Sequence, residues 1–249
     1  MIIMGLVIGA LVGLTGVGGA ALLTPALIML GINPTIAVGT DLMINSITKL
    51  FGSIQHYRQK TIDKKLVTHL AIGSVPGAVI AVLLIHLLPS SDSQDNFVKQ
   101  ALGCVLVLVA LATLFKIIFD KHIKENSIQK KSLDEKIVLT ITIGFILGFF
   151  VGLTSVGSGS LFALVMIFLY RLKASELVGT DIAHAFILVT VAGLLHAGAG
   201  NVDFMLAVNI LIGSIPGVIL GSGLSRKVPE RPLRAVMATI ILLSGIQLI

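Results

Sequence analysis

Residues 137–170 run without a single Asp, Glu, Lys or Arg, and residues 66–91, 100–115 and 235–249 share that property. About 20 apolar residues span the hydrocarbon core of a bilayer as a helix, and most of these stretches approach or exceed that length. The chain is therefore an integral membrane protein. Composition agrees: 12% of its 249 residues are charged and mean hydropathy is +1.04, whereas a soluble domain carries about a quarter charged residues. An apolar run begins at Met1 without a basic leader or a small-residue cleavage site, so the first helix is expected to belong to the mature fold. Cys104, the sole cysteine, lies in an apolar run and is read as lipid or core packing. The net charge of +6 does not point to nucleic acid, because the basic residues sit in short connections between hydrophobic runs, where topology accounts for them.

The chain repeats itself. Gly13-Leu14-Thr15-Gly16-Val17-Gly18 returns as Gly152-Leu153-Thr154-Ser155-Val156-Gly157, and Val38-Gly39-Thr40-Asp41 returns unchanged as Val178-Gly179-Thr180-Asp181. His56 pairs with His196, and Ile72-Gly73-Ser74-Val75-Pro76-Gly77 pairs with Ile212-Gly213-Ser214-Ile215-Pro216-Gly217. Four landmarks in one order indicate a duplicated unit, with a first transmembrane repeat at 1–119, a cytoplasmic linker at 120–132 and a second repeat at 133–249. Each unit reads as an apolar pair of helices broken by glycines, near 13–19 and 152–159, followed by three longer spans. These are expected at about 34–57, 65–88 and 97–119, then 174–196, 202–224 and 232–249.

If each broken segment crosses the membrane, the units are parallel; if it turns back as a hairpin, they are inverted. The hairpin arrangement puts 16 of the 18 Lys and Arg residues on one side, leaving Lys99 opposite and Lys49 within a span. The crossing arrangement divides them far more evenly, so the positive-inside rule favours inversion, with both termini outside the cytoplasm. The expected fold is thus an all-α integral membrane protein of two inverted-topology repeats, each a glycine-broken helical hairpin plus three transmembrane helices. Secondary transporters are built this way, with the site at the discontinuous helices.

Broken helices leave backbone N–H groups for an anion at the starts of the following helices, near 18–21 and 157–160. The candidate binding residues are Thr15, Gly16, Val17, Gly18 and Gly19 in the first break, and Thr154, Ser155, Gly157, Ser158 and Ser160 in the second. An isolated glycine is more simply read as a packing device, but the polar-flanked cluster recurs in both units.

The string 13–25, followed by Ala37-Val38-Gly39-Thr40-Asp41, Thr48-Lys49 and Gly73-Ser74-Val75-Pro76-Gly77, resembles the sulfite exporter TauE/SafE family. The resemblance runs along nearly the whole chain. It implies a multi-pass permease of the bacterial or archaeal inner membrane for sulfite, sulfoacetate or related sulfur-containing anions. The second unit departs from the first where Ser158 stands for Gly19, Ala185 for Asn45 and Val189 for Lys49.

Lys49 has no counterpart in the second unit. A cation within a span costs at least ~2.5 to 3.5 kcal/mol on insertion scales, so it should meet protein or water and have a partner. An anion-site role is favoured over pairing with Asp41 or Asp181 or snorkelling. Asp41, Asn45 and Lys49 fall on one helical face. Asp41 and Asp181 are read as proton carriers or as structural groups bonding to cap or backbone, with the structural role favoured because both units keep them. His184, three residues beyond Asp181, is a candidate for the second half of the site.

The function these residues suggest is alternating-access transport of a small sulfur-containing anion such as sulfite or an organosulfonate; the alternative is an anion channel with a continuous pore. No nucleotide-binding, zinc or nucleophile-elbow motif points to an enzyme. No cofactor or metal is expected. The expected partners are the anion, bilayer lipid, protons as a coupling ion and a second copy as a homodimer, without nucleic acid.

Overall fold

The computed structural model of the chain describes residues 1–15, 19–119, 129, 131–224 and 230–249. Gly16, Val17 and Gly18, most of the expected linker and residues 225–229 lie outside them. Among the described residues there is no strand. The described residues form ten α-helices: α1 (Ile2–Thr15), α2 (Ala20–Met29), α3 (Pro34–Arg58), α4 (Lys64–Leu87), α5 (Ser91–Phe119), α6 (Ile137–Thr154), α7 (Ser160–Leu169), α8 (Ala174–Gly198), α9 (Phe204–Leu224) and α10 (Glu230–Leu248). Among the described residues, five segments combine length and apolarity enough to cross a membrane: Lys64–Leu87, Ser91–Phe115, Asp134–Thr154, Ala174–Gly198 and Phe204–Leu224. In lipid a helix satisfies its own backbone polar groups, which is why apolar runs of this length become helices. With 25 residues, α3 is as long as α8 but more polar, because Asp41, Asn45, Ser46, Thr48 and Lys49 lie on it.

Helix α5 starts at Ser91, six residues before the expected position at Phe97. The polar stretch 91–96 is its opening turns, not a loop. Ser90 Oγ accepts from the Ser93 amide at 3.2 Å, and Asp95 accepts from both the amide and the hydroxyl of Thr35 at 3.1 and 2.6 Å, fastening this extension to the start of α3.

The second broken segment turns back. Lys136, just before α6, donates from Nζ to the carbonyl of Leu169 at the end of α7 at 2.9 Å, and the Thr140 hydroxyl bonds that of Tyr170. A helix pair whose beginning meets its end is a hairpin. In the first unit, Met4 and Ile8 of α1 share an apolar cluster with Leu27 and Ile28 at the end of α2.

Long-range packing joins one unit to the other. Helix α1 lies along α9, with Gly5, Gly9 and Gly13 against the backbone of Ile210, Ser214 and Val218. Helix α6 lies along α4 in the same way, with Gly144, Gly148 and Gly152 against Leu70, Ser74 and Ala78. Numbers rise together in both pairs, so each is parallel. A methyl group at Gly148 would run into the Ser74 backbone, the close approach that small residues permit in membrane helices. Helix α3 is antiparallel to α8, since Gly39 lies beside His196, Ser46 Oγ is 2.7 Å from Thr190 Oγ1, and Gly52 lies beside Ile182. Helix α5 is antiparallel to α10, with Gly103 against Ile249 and Val107 against Gly245.

The recurrent Gly-Thr pair fastens this exchange. Thr40 Oγ1 accepts from the Asp203 amide and Thr180 Oγ1 from the Asp63 amide, each at 3.0 Å. Asp203 and Asp63 in turn cap α9 and α4 by accepting from Leu206 N at 2.8 Å and Leu66 N at 3.1 Å. Each unit thus holds the cap of a helix in the other.

Candidate functional site

Helix α3 carries the polar residues of the site along the face that helical spacing predicts. Asp41, Asn45, Thr48 and Lys49 border a partly open cavity of about 310 Å³ that α1, α2, α8 and α9 also line. Gly19 and Ser214 also line it, and the remaining lining residues are glycine or apolar. The cavity thus brings one lysine and one carboxylate, Lys49 and Asp41, to a mostly apolar lining.

Asp41 is fully buried and well held. Its Oδ2 accepts from the Thr24 hydroxyl at 2.7 Å, and its Oδ1 from Asn45 Nδ2 at 2.8 Å. Asn45 Nδ2 also donates to the Asp41 carbonyl at 3.0 Å. Both carboxylate oxygens thus bond side chains, and among the described residues neither bonds a helix cap or a backbone amide. Thr24 was not among the expected residues; its only signal is a hydroxyl inside the apolar run that becomes α2.

Lys49 reaches across to the second unit. Its Nζ donates to the Ser158 carbonyl at 2.9 Å and to the Ser158 hydroxyl at 3.1 Å. Neither aspartate takes a hydrogen bond from it. A Cβ placed on Gly159 would sit 3.6 Å from Asp181 Oδ2 and 3.7 Å from Lys49 Nζ, so the Gly159 backbone lies beside both groups. Asp181 is buried, and its Oδ1 has no hydrogen-bond partner among the described residues. The two Val-Gly-Thr-Asp motifs thus end in carboxylates with different surroundings.

The second break is laid out residue by residue. Thr154 donates to the Phe150 carbonyl at 2.7 Å and receives the Val156 amide at 3.3 Å, so its hydroxyl is engaged locally. Ser155 has φ +62° and Gly157 φ +100°, which takes the chain out of helix between α6 and α7. The Ser155 hydroxyl lies near Asp41 without a hydrogen bond of its own. The first-turn amides of Leu161 and Phe162 both turn to the Gly157 carbonyl, at 3.2 and 3.5 Å, and those of Leu22 and Leu23 turn to Gly19. Fewer free amides therefore face outward from α2 and α7 than the broken-helix pattern predicts. In the first break only Gly19 is described with its surroundings, since 16–18 and the Thr15 side chain lie outside the description.

His184 is not brought to the cavity. Its Nε2 lies 2.8 Å from Ser74 Oγ of α4, and its ring packs on Phe162 with centroids 4.4 Å apart. His184 of the second unit has Ile44 of the first as its counterpart, and Ser74 of the first has Ser214 of the second; Ile44 and Ser214 both line the cavity. Each pair spans the two units: one is joined by a hydrogen bond, and the other borders the cavity. The repeat shows that difference as Ile44 against His184, since an isoleucine has no group to bond a serine.

Comparison with known proteins follows the same line. The model of the family described as sulfite exporter TauE/SafE matches residues 1–248. The chain belongs to the sulfite exporter TauE/SafE family. It is 60% identical over its full length to a probable membrane transporter protein YjnA of Bacillus subtilis (strain 168), covering 98% of that protein. It is 26% identical, again over its full length, to a second from that organism, YunE, of which it covers 96%. No solved structure matches the chain. With its apolar helices, this makes the protein a multi-pass membrane transporter of the sulfite-exporter type.

Proposed function

We propose that this TauE/SafE member carries a small sulfur-containing oxyanion, sulfite or an organosulfonate, across the plasma membrane by alternating access around Lys49. The observation that carries this reading is an ammonium within α3 that borders a mostly apolar cavity and is held by the break of the other repeat. A carrier of this kind needs two inverted halves, here 1–119 and 133–249. The antiparallel pairing of α3 with α8 and of α5 with α10 supports that relation, because a two-fold axis in the membrane plane reverses equivalent helices. The cavity between the repeats at Ile44 and Ser214, and the His184–Ser74 bond at the matching pair of positions, support exchange of two states over a continuous pore.

The test is transport by purified protein in liposomes. Labelled sulfite uptake is expected to saturate and to accelerate when unlabelled sulfite waits on the far side. Linear, voltage-driven flux without such exchange would make the protein a channel. Uptake that follows an imposed pH gradient would identify protons as the coupling ion.

A further inference from the structure

We propose that Ser158 occupies Lys49 as a stand-in for the substrate's oxyanion, so that an arriving anion takes its place and releases the second break. This rests on the anion reading above and assigns Ser158 a positioning role in it. Ser158 offers the ammonium two oxygens from one residue, its carbonyl at 2.9 Å and its hydroxyl at 3.1 Å, much as two oxygens of a sulfur oxyanion would. Both are neutral. Asp41, the carboxylate on the same face, is engaged by Thr24 and Asn45, and Asp181 makes no hydrogen bond to Lys49. The hydrogen bonds of Lys49 thus go to neutral oxygens, and a charged acceptor outcompetes a neutral one at the same donor.

The position of Ser158 gives the exchange a consequence. It lies between α6 and α7, where Ser155 and Gly157 have positive φ, and no helical ladder holds it. Three steps separate Gly157 from the start of α7 at Ser160, against two from the equivalent Gly18 to the start of α2 at Ala20. The additional residue falls in the stretch that meets Lys49. Giving up that contact unties the break from α3, which otherwise links the two repeats across the site.

Sulfite binding to the purified full-length protein, held under nitrogen in nanodiscs and measured by calorimetry, tests the exchange. Ser158→Ala removes one competing oxygen and is expected to tighten sulfite binding about 3- to 10-fold, given the strength of a hydrogen bond to a charged group. Ser158→Thr keeps the hydroxyl and should match the parent. In a Lys49→Met background Ser158→Ala should change nothing. Deuterium uptake by residues 155–161 should rise when sulfite binds. Unchanged or weaker binding in Ser158→Ala, or uptake that falls on binding, overturns the role of Ser158 while leaving the anion site in place. A parent protein that binds neither sulfite nor methanesulfonate removes the anion reading itself, and this inference with it.

Discussion

Lys49 and the two aspartates show how the same residue types acquire different work at the scale of single side chains. A lysine inside a membrane helix that served only packing would be replaceable by methionine, which keeps much of the stem's length and inserts more easily. As an anion contact it supplies a charge-assisted bond of about 1.5 to 3 kcal/mol, so Lys49→Met is expected to weaken sulfite binding roughly 10- to 150-fold while the melting temperature moves little. Lys49→Arg should recover only part, since a planar fork does not fill the space of a compact ammonium. Calorimetry on monodisperse protein decides, and an unchanged Kd excludes direct contact. For the carboxylates, Asp41→Asn replaces one of two accepting oxygens by a donor facing Thr24 or Asn45. A loss of about 1 to 3 kcal/mol in stability is expected, read as lower folded yield and an earlier thermal transition. Asp181→Asn disturbs no such bond and should insert and fold normally. If Asp181 carries the coupled proton, that variant keeps sulfite exchange and loses its response to a pH gradient; an unaltered response removes Asp181 as carrier.

At the scale of elements, the glycine faces of α1 and α6 matter more than any polar contact. Their neighbours α9 and α4 approach so closely that a side chain at Gly148 meets the Ser74 backbone, which cannot move aside without separating the helices. Gly148→Leu is therefore expected to destroy the monodisperse peak in size-exclusion chromatography. Gly223→Ala, at a position with nothing within 4 Å, should leave it intact. Equal behaviour of the two variants would dissociate the glycines from the α4/α6 contact. The Thr40 and Thr180 hydroxyls act on the same scale, because each fastens the capped start of a helix from the other unit. The recurring motif is legible in the sequence, but the role of its threonines is not. Their partners lie 163 and 117 residues away, and no local pattern reveals them.

Across the whole molecule, the direction of pairing bears on topology. Equivalent helices that run antiparallel, and a hairpin at α6 and α7 that returns to its own start, agree with the side on which Lys and Arg accumulate. Tags at Met1 and Ile249 should both be reached from outside the cell, and a cysteine introduced between 124 and 131 should react only from the cytoplasm. Cytoplasmic termini would instead restore two parallel four-span units.

Class and helix positions were legible because hydrophobicity is a local property: an uncharged run of 34 residues such as 137–170 has few places to go except a membrane. The duplication was legible for the same reason, since it needs only matching strings. The site was legible in part. Spacing alone put Asp41, Asn45 and Lys49 on one face, and they do share a cavity. Only the tertiary structure decided that Lys49 bonds Ser158 of the other unit, that Asp41 is satisfied while Asp181 Oδ1 is not, and that His184 closes on Ser74. These depend on how near helices from different repeats can come, and that distance is set by glycine surfaces meeting across 74 residues of chain between α4 and α6 and 205 between α1 and α9.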